Sequence, residues 1–351
     1  MTLTNSDVRS SIEPAISIVI PVHNGGESFR ECLSSLTKFV PNSIEVVIVV
    51  DGGTDDSWRL AEESGAKIIK FPTAGGPARA RNAGAKAAQG DILFFVDADV
   101  TIGADTLSQV AIAFQTYPNI AALIGSYDDA PGATNFLSQY KNLFHHYTHQ
   151  TGCEEASTFW GACGAIRRDV FLEIGGFDEA YRYPSIEDIE LGYRLKRAGH
   201  QIRLCKNVQV KHLKCWRPVS LLRAEFFYRA LPWTELLWRD RQFVNDLNLK
   251  TSSRVSLVLT YGLLIALAAS FWWLPALGLA GILSLSLLLL NFSVYQFFQH
   301  KRGLWFAVRT VPWHWLYFLY SGLAFAIGTI RYHIRQYRLP KPSSLKSKAS
   351  V

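Results

Sequence analysis

Two apolar runs that stop abruptly at acidic residues constrain this chain more than any other feature. Ile44–Val50 is a β-branched run that ends at Asp51-Gly52-Gly53, and Asp91–Val96 ends at Asp97-Ala98-Asp99. A third run, Ala15–Val22, ends in the turn His23-Asn24-Gly25-Gly26. Short runs without polar alternation predict strands buried on both faces. Between them, Ser28–Phe39 sets Phe29, Cys32, Leu33, Leu36 and Phe39 at helical spacing, and Pro77–Ala88 is an Ala-rich helix opening at proline. With a short strand at Lys67–Phe71, the order strand, loop, helix repeats. That repetition predicts an α/β, Rossmann-like domain with a mostly parallel sheet covered by helices. Ligands of such sheets bind beyond the carboxyl ends of the strands, where Asp51, Asp97 and Asp99 fall.

Downstream, Asn135–Thr151 reads as an aromatic-rich helix and Phe159–Arg167 as a strand. Ile186–Ala198 reads as an amphipathic helix with acids first and bases last, and Ile202–Val210 as a strand running into Lys211-His212. From Val255 the character changes to all-α and apolar. Val255–Leu274, Ala276–Phe298 and Val311–Ile330 are each near the ~20 residues that span a bilayer, so a transmembrane hairpin and a third, aromatic-rich segment are expected. The expected organisation is a tail over 1–14, a catalytic domain over 15–215, an interfacial amphipathic region over 216–254, a membrane region over 255–330 and a basic, disordered tail over 331–351.

The formal net charge is +7. Much of the excess borders the apolar segments, at Lys250, Arg254, Lys301, Arg302, Arg309 and after Arg331, which points to anionic headgroups. Neither zinc-finger spacing nor a basic recognition helix is present, so no nucleic-acid partner is expected. Five scattered cysteines, an odd number, argue for a reducing compartment rather than a disulfide framework. The polar stretch over residues 1–14 has no signal-peptide core. A multi-pass membrane protein with its catalytic domain facing the cytoplasm is therefore expected. Three full spans would place the basic tail outside, against the positive-inside tendency, unless the third segment is re-entrant or interfacial.

An isolated Asp-x-Asp is usually a solvated loop or a helix cap. At the end of a buried strand, however, its two carboxylates offer hard oxygen ligands to Mg²⁺ or Mn²⁺. Six motifs in fixed order set the context: Ile18-Val19-Ile20-Pro21-Val22-His23-Asn24, Asp51-Gly52-Gly53-Thr54-Asp55, Ala80-Arg81-Asn82-Ala83-Gly84, Asp97-Ala98-Asp99, Gly175-Gly176-Phe177-Asp178-Glu179 and Glu187-Asp188-Ile189-Glu190-Leu191. Over roughly Ser17–His212 the chain resembles the family 2 glycosyltransferases, which have the nucleotide-sugar-binding fold called GT-A.

The resemblance implies a metal-dependent, inverting transfer of one sugar from a UDP- or GDP-sugar. Asp99 would bind the metal and Asp97 the ribose or a metal-bound water, with His212 either completing the metal site or serving structure alone. Asp51 would meet the base, although relatives often carry two adjacent acids where this chain has Val50-Asp51; the lesser alternative is a turn aspartate before Gly52-Gly53. Pro21, Asn24, Arg81 and Asn82 would line the donor, with Arg81 and Asn82 near the phosphates unless they pair with surface acids. Asp188 would be the general base and Glu187 would orient the acceptor or the neighbouring backbone, although two acids opening a helix often only cap it. The membrane segments imply a lipid-linked or membrane-embedded acceptor. Rival readings are a polyprenyl-phosphate glycosyltransferase, a processive synthase, for which the Gln-x-x-Arg-Trp motif is missing, and a non-catalytic nucleotide-sugar scaffold. His145 and His149, four apart on one helix, lack a clear third zinc ligand and favour an acceptor-facing or interfacial helix.

Overall fold

The computed structural model describes residues 15–241 and 249–338. The expected 1–14 tail, the end of the basic tail and residues 242–248 of the expected interfacial region lie outside the described residues. Strands are β1 (Ile16–Val22), β2 (Glu45–Asp51), β3 (Lys67–Phe71), β4 (Ile92–Val96), β5 (Val100–Ile102), β6 (Ile120–Tyr127), β7 (Glu155–Ala156), β8 (Cys163–Arg167) and β9 (Gln201–His212). Helices interleaved with them are α1 (Gly26–Phe39), α2 (Ser57–Glu63), α3 (Pro77–Ala87), α4 (Thr106–Thr116), α5 (Phe136–Gln150), α6 (Arg168–Glu173) and α7 (Glu187–Arg197).

The sheet runs in the order β3-β2-β1-β4-β8-β6-β9-β5, with β7 beside β9. Strands β3, β2, β1 and β4 are parallel, as the alternating pattern predicts. Beyond β4 the sheet turns mixed, because β8 runs antiparallel to both β4 and β6. The strand expected from Phe159 begins only at Cys163. Registers of Val22 with Val50 and of Val19 with Phe95 bring the carboxyl ends of β1, β2 and β4 to one edge. The side chains that make these runs apolar form the core. Phe95 meets Phe171 and Phe177 at 5.3 Å between ring centroids, and Phe95→Ala is expected to cost about 3–5 kcal/mol.

The C-terminal part is helical: α8 (Pro218–Arg223), a π-helical turn (Ala224–Ala230), α9 (Leu231–Asp240), α10 (Thr251–Ala269), α11 (Ala276–Leu290), α12 (Phe292–Arg302) and α13 (Leu304–Arg338). Two apolar seams bind it to the sheet domain. Tyr140 and Leu143 of α5 pack with Val294, Phe298 and Ala307, while Ile186 and Tyr193 pack with Trp233, Leu236 and Leu237. The Trp233 indole also donates to the Tyr193 hydroxyl at 3.0 Å.

Three expectations are corrected here. Among the described residues one helix, α10, is long and apolar enough to cross a membrane, or two segments if α11 and α12, bent by 62°, form one broken span. The third expected span, Val311–Ile330, lies within the 35-residue α13, where His314 and Phe318 are buried and Thr329 accepts a hydrogen bond from Trp238. Part of α13 therefore faces protein. Residues 331–338 of the expected disordered tail continue this helix.

Among the described residues, Lys250, Lys301, Arg302, Arg309 and Arg331, all assigned to headgroups, have partners within the chain. Lys301 pairs with Asp129 at 2.5 Å, Arg302 donates to the Asp129 carbonyl at 2.8 Å, and Arg331 pairs with Glu235 at 3.3 Å. Lys250 donates to the Thr151 carbonyl, and Arg309 lies over the Phe136 ring. Carboxylates, carbonyls and ring faces of the neighbouring region substitute for lipid phosphates.

Candidate active site

The strand ends open onto a cleft of about 720 Å³ whose lining includes Pro21, Asn24, Asp51, Arg81, Asp97 and Asp99. A second chamber of about 500 Å³ takes in Tyr127, Glu187, Asp188 and His212 and shares Arg81, Asp97 and Asp99 with the first. Arg81 is the wall between them. It comes from α3, is 5% exposed, and donates to Asp97 at 2.6 Å and to Glu187 at 2.9 Å. Burial works against its charge, but Asp97 and Glu187 outweigh that and keep it fully protonated. Gly161 leaves the room: a Cβ there would stand 2.8 Å from the guanidinium carbon.

On the first side, Asp51 is 3% exposed and accepts from the backbone N–H of Gly75 and of Gly76, the latter at 2.7 Å. It thereby fixes the loop that leads into α3. Gly76 holds a φ of +98°, and a Cβ on it would meet the Arg182 carbonyl oxygen at 2.4 Å, so no other residue fits. Asn24 accepts from the Thr54 N–H at 2.8 Å and His23 donates to the Asp51 carbonyl at 2.9 Å, which ties the ends of β1 and β2 together. Arg79 turns aside and lies over Phe71.

Asn82 requires a correction. It does not enter the cleft. Its amide donates to the Phe177 carbonyl and Glu179, and its carbonyl accepts from the Phe177 N–H at 2.8 Å. Every polar atom is used to pin the 175–179 loop to α3, leaving none for a phosphate.

Asp99 and His212 meet because β5 pairs with β9, setting Val100 opposite His212. The His212 Nε2 lies 3.7 Å from the Asp99 Oδ2 and the Lys214 ammonium 4.0 Å from it. Burial raises the Asp99 pKa, but His212 and Lys214 overcome it and hold the carboxyl down at about 2. An ionised oxygen and an imidazole nitrogen on a partly open wall suit a divalent ion whose remaining ligands come from phosphate and water. No group of three or more His, Cys, Asp or Glu arranged to hold a metal occurs among the described residues.

Across the chamber, Glu187 and Asp188 open α7. Glu187 is 4% exposed, accepts from the Ser185 N–H at 2.9 Å and holds Arg81, so it positions other groups. Asp188 accepts from the Gly161 N–H at 3.1 Å. Burial and the Glu187 charge push its pKa up to about 6, the range of a working base near neutrality.

Helix α5 closes the far wall. His146 donates to the Tyr127 carbonyl and His149 to the Gly125 carbonyl. His145 lies 4.7 Å from Trp160 and 4.8 Å from Tyr127, and burial holds it neutral. Its surroundings are aromatic rather than zinc-like. The sequence reading missed Lys141, Glu225 and Tyr127, which also line this chamber; they belong to no motif, and no local signal marks them.

Known proteins share this arrangement in part. Residues 17–175 match the model of glycosyl transferase family 2. The O-antigen biosynthesis protein RfbC of Myxococcus xanthus is 37% identical over 133 residues, covering 35% of this chain and 10% of that protein. The probable glycosyltransferase YdaM of Bacillus subtilis is 26% identical over 206 residues, covering 54% of this chain and 48% of that protein. The chain thus spans half or less of the curated relatives it matches. Among solved structures, the mannosyltransferase PcManGT of Pyrobaculum calidifontis, in complex with GDP-Man and Mn²⁺, superposes with a TM-score of 0.60 at 17% identity, covering 90% of this chain and 88% of that one. The fold is accordingly the GT-A type, a mixed α/β sheet followed by a helical C-terminal region.

Proposed function

We propose that this chain is an inverting glycosyltransferase that moves a single sugar from a nucleoside-diphospho-sugar to a lipid-linked or membrane-embedded acceptor. The observation that carries the reading is the division of the site by Arg81, with the Asp97/Asp99 pair facing both compartments and Asp188 facing only the second. The donor would lie in the first cleft, along Pro21 and Asn24, with its base toward Asp51. Asp99 and His212, with Asp97 nearby, would hold Mg²⁺ or Mn²⁺. When bound, a divalent ion at these residues would supply charge neutralisation for the diphosphate.

The acceptor hydroxyl would enter beside Asp188. Asp188 takes its proton while the oxygen forms a bond to the anomeric carbon from the face opposite the diphosphate. The bond from that carbon to the diphosphate oxygen breaks, and its electron pair leaves with the nucleoside diphosphate. Attack from the opposite face inverts configuration. Glu187 keeps Arg81 in place, and Arg81 sets Asp97.

Membrane attachment is part of the proposal. The turn between α10 and α11 presents Phe271 and Trp272 at 87% and 85% exposure, and the outer faces of both helices are apolar, a surface that water covers poorly. The sheet domain would face the cytoplasm, consistent with five unpaired cysteines.

The test is incubation of the purified full chain with UDP- and GDP-sugars, Mn²⁺ and a membrane lipid extract, with products identified by mass spectrometry. A lipid carrying one added sugar supports the reading. Nucleotide binding without transfer or donor hydrolysis under any metal and lipid condition would leave a scaffold instead. A ladder of added sugars would indicate a processive synthase.

A further inference from the structure

A third cavity, of about 360 Å³, lies between α9, α10 and α13, and its lining includes Trp233, Leu237, Leu257 and Phe325. It shares Lys141, Glu225 and Arg229 with the chamber that holds Asp188. At that junction two cations bear on one carboxylate: Lys141 is 2.7 Å and Arg229 3.1 Å from Glu225. Glu225 and Arg229 stand on the π-helical turn, a local distortion that often marks functional sites. Three residues of the chamber wall also carry buried polar atoms without a hydrogen-bond partner, Asn142 Oδ1, His145 Nδ1 and Trp216 Nε1; Asn142 is 2% exposed.

We infer that Lys141 and Arg229 form the seat for the phosphate of a lipid-linked acceptor, with its hydrocarbon chain in the apolar groove and its polar end toward Asp188. The inference rests on the acceptor reading above and adds the chemical class. Charge complementarity selects the occupant, since within ion-pair distance Lys141 and Arg229 share one carboxylate, Glu225, among the described residues, a local positive excess that an anion can neutralise. Continuity gives the direction: apolar cavity, cations, Asp188. The electrostatics agree. Burial and the nearby Arg229 charge depress the Lys141 pKa despite Glu225, so an added anion would relieve a strained ammonium. Arg229 also feels the Asp188 charge, which places the seat near the base. Glu225 acts as the resident counter-charge that the phosphate supplants.

The experiment measures binding to the full chain in detergent, without donor sugar, using farnesyl phosphate, farnesol and inorganic phosphate as probes. Farnesyl phosphate is expected to bind at least about tenfold tighter than either other probe, as charged hydrogen bonds predict. Lys141→Gln and Arg229→Gln should erase its advantage over farnesol. Ser321→Trp, which fills the groove, should erase its advantage over inorganic phosphate. Glu225→Gln should tighten farnesyl phosphate binding, the opposite of what a merely structural role for the trio would give. UDP and GDP binding checks the fold of each variant.

Equal binding of farnesyl phosphate and farnesol overturns the seat, as does a Glu225→Gln variant that keeps nucleotide binding but weakens the phosphate probe. Equal displacement by phosphatidylglycerol also overturns it, because the groove would then hold bulk lipid. If a variant fails to fold, the three-probe comparison on the native chain decides alone. Phosphate-selective binding with no sugar transfer would sink only the transferase reading, and transfer without phosphate selectivity would sink only the seat.

Discussion

The sheet domain and the C-terminal helices solve opposite solvation problems. In the sheet domain, charged groups are drawn inward and matched: Arg81 reaches Asp97 and the buried Glu187, and backbone amides satisfy Asp51. In the helical region, large apolar groups are left outward, as at Phe271 and Trp272, while its cations turn back to the sheet domain through Lys301 and Asp129. Interior charge is costly unless paired and hydrogen-bonded, and it is kept where a reaction needs fixed dipoles. Exposed apolar surface is costly in water and favourable in lipid. The contrast teaches that one part of the chain buries its charges in matched pairs while the other leaves large apolar groups uncovered.

Several substitutions would break or sharpen this contrast. The largest effect is expected for Asp188→Asn, which should lower transfer about 10²–10⁴-fold while nucleotide binding persists. Near-normal turnover would remove Asp188 as base and favour an acceptor that is already an anion. Arg81→Met should follow, destabilising the sheet domain by about 3–5 kcal/mol in denaturant unfolding because it strands the buried Glu187. Stability within about 0.5 kcal/mol of the parent chain would show that the buried charges are not matched as the contrast requires.

The pH dependence has a definite sign. The Asp188 pKa is raised to about 6 by burial and Glu187, and a base must be ionised. Activity should therefore fall about tenfold per unit below that value and level off above it. The native state binds this proton more tightly than the unfolded chain does, so the stabilisation it gives is present at low pH and lost as pH rises through about 6. Asp188→Asn should then gain melting temperature relative to the parent chain at pH 8, with the gain shrinking toward pH 4. A gain that does not depend on pH would show that the side chain is not held protonated by its surroundings.

On the helical side, replacing both Phe271 and Trp272 with serine should weaken flotation with lipid vesicles several-fold while nucleotide binding stays unchanged. Unaltered flotation would move the membrane contact elsewhere. The smallest effect belongs to Lys301→Ala, which removes a pair whose side chains are 34% and 46% exposed. About 0.2–1 kcal/mol is expected in thermal unfolding, and a larger loss would mean that the two regions are more tightly joined than a solvent-screened contact allows.

Much of this molecule can be read from local pattern. The β-branched runs predict β1, β2 and β4, and the acids that end them fall at the cleft because side-chain polarity changes where a buried strand leaves the core. The amphipathic signature of α7 likewise puts Glu187 and Asp188 at its first turn. Local pattern misled where an interior and a membrane look alike, as in Val311–Ile330, since both select the same apolar residues. The resemblance misled for Asn82, whose partners are 95 and 97 residues away.

By itself, then, the sequence determined the alternating sheet, the strand-end placement of Asp51, Asp97 and Asp99, and the change to an apolar, helical region after Val255. Periodicity and polarity act over a few residues, and each of these is a short-range property. Only the tertiary structure decided that Arg81 divides the site, that β5 beside β9 brings His212 to Asp99, and that Lys141 meets Glu225 and Arg229 at the mouth of an apolar groove. Those pairings join residues far apart in the chain, and they exist because burying a charge requires finding its partner wherever the fold supplies one.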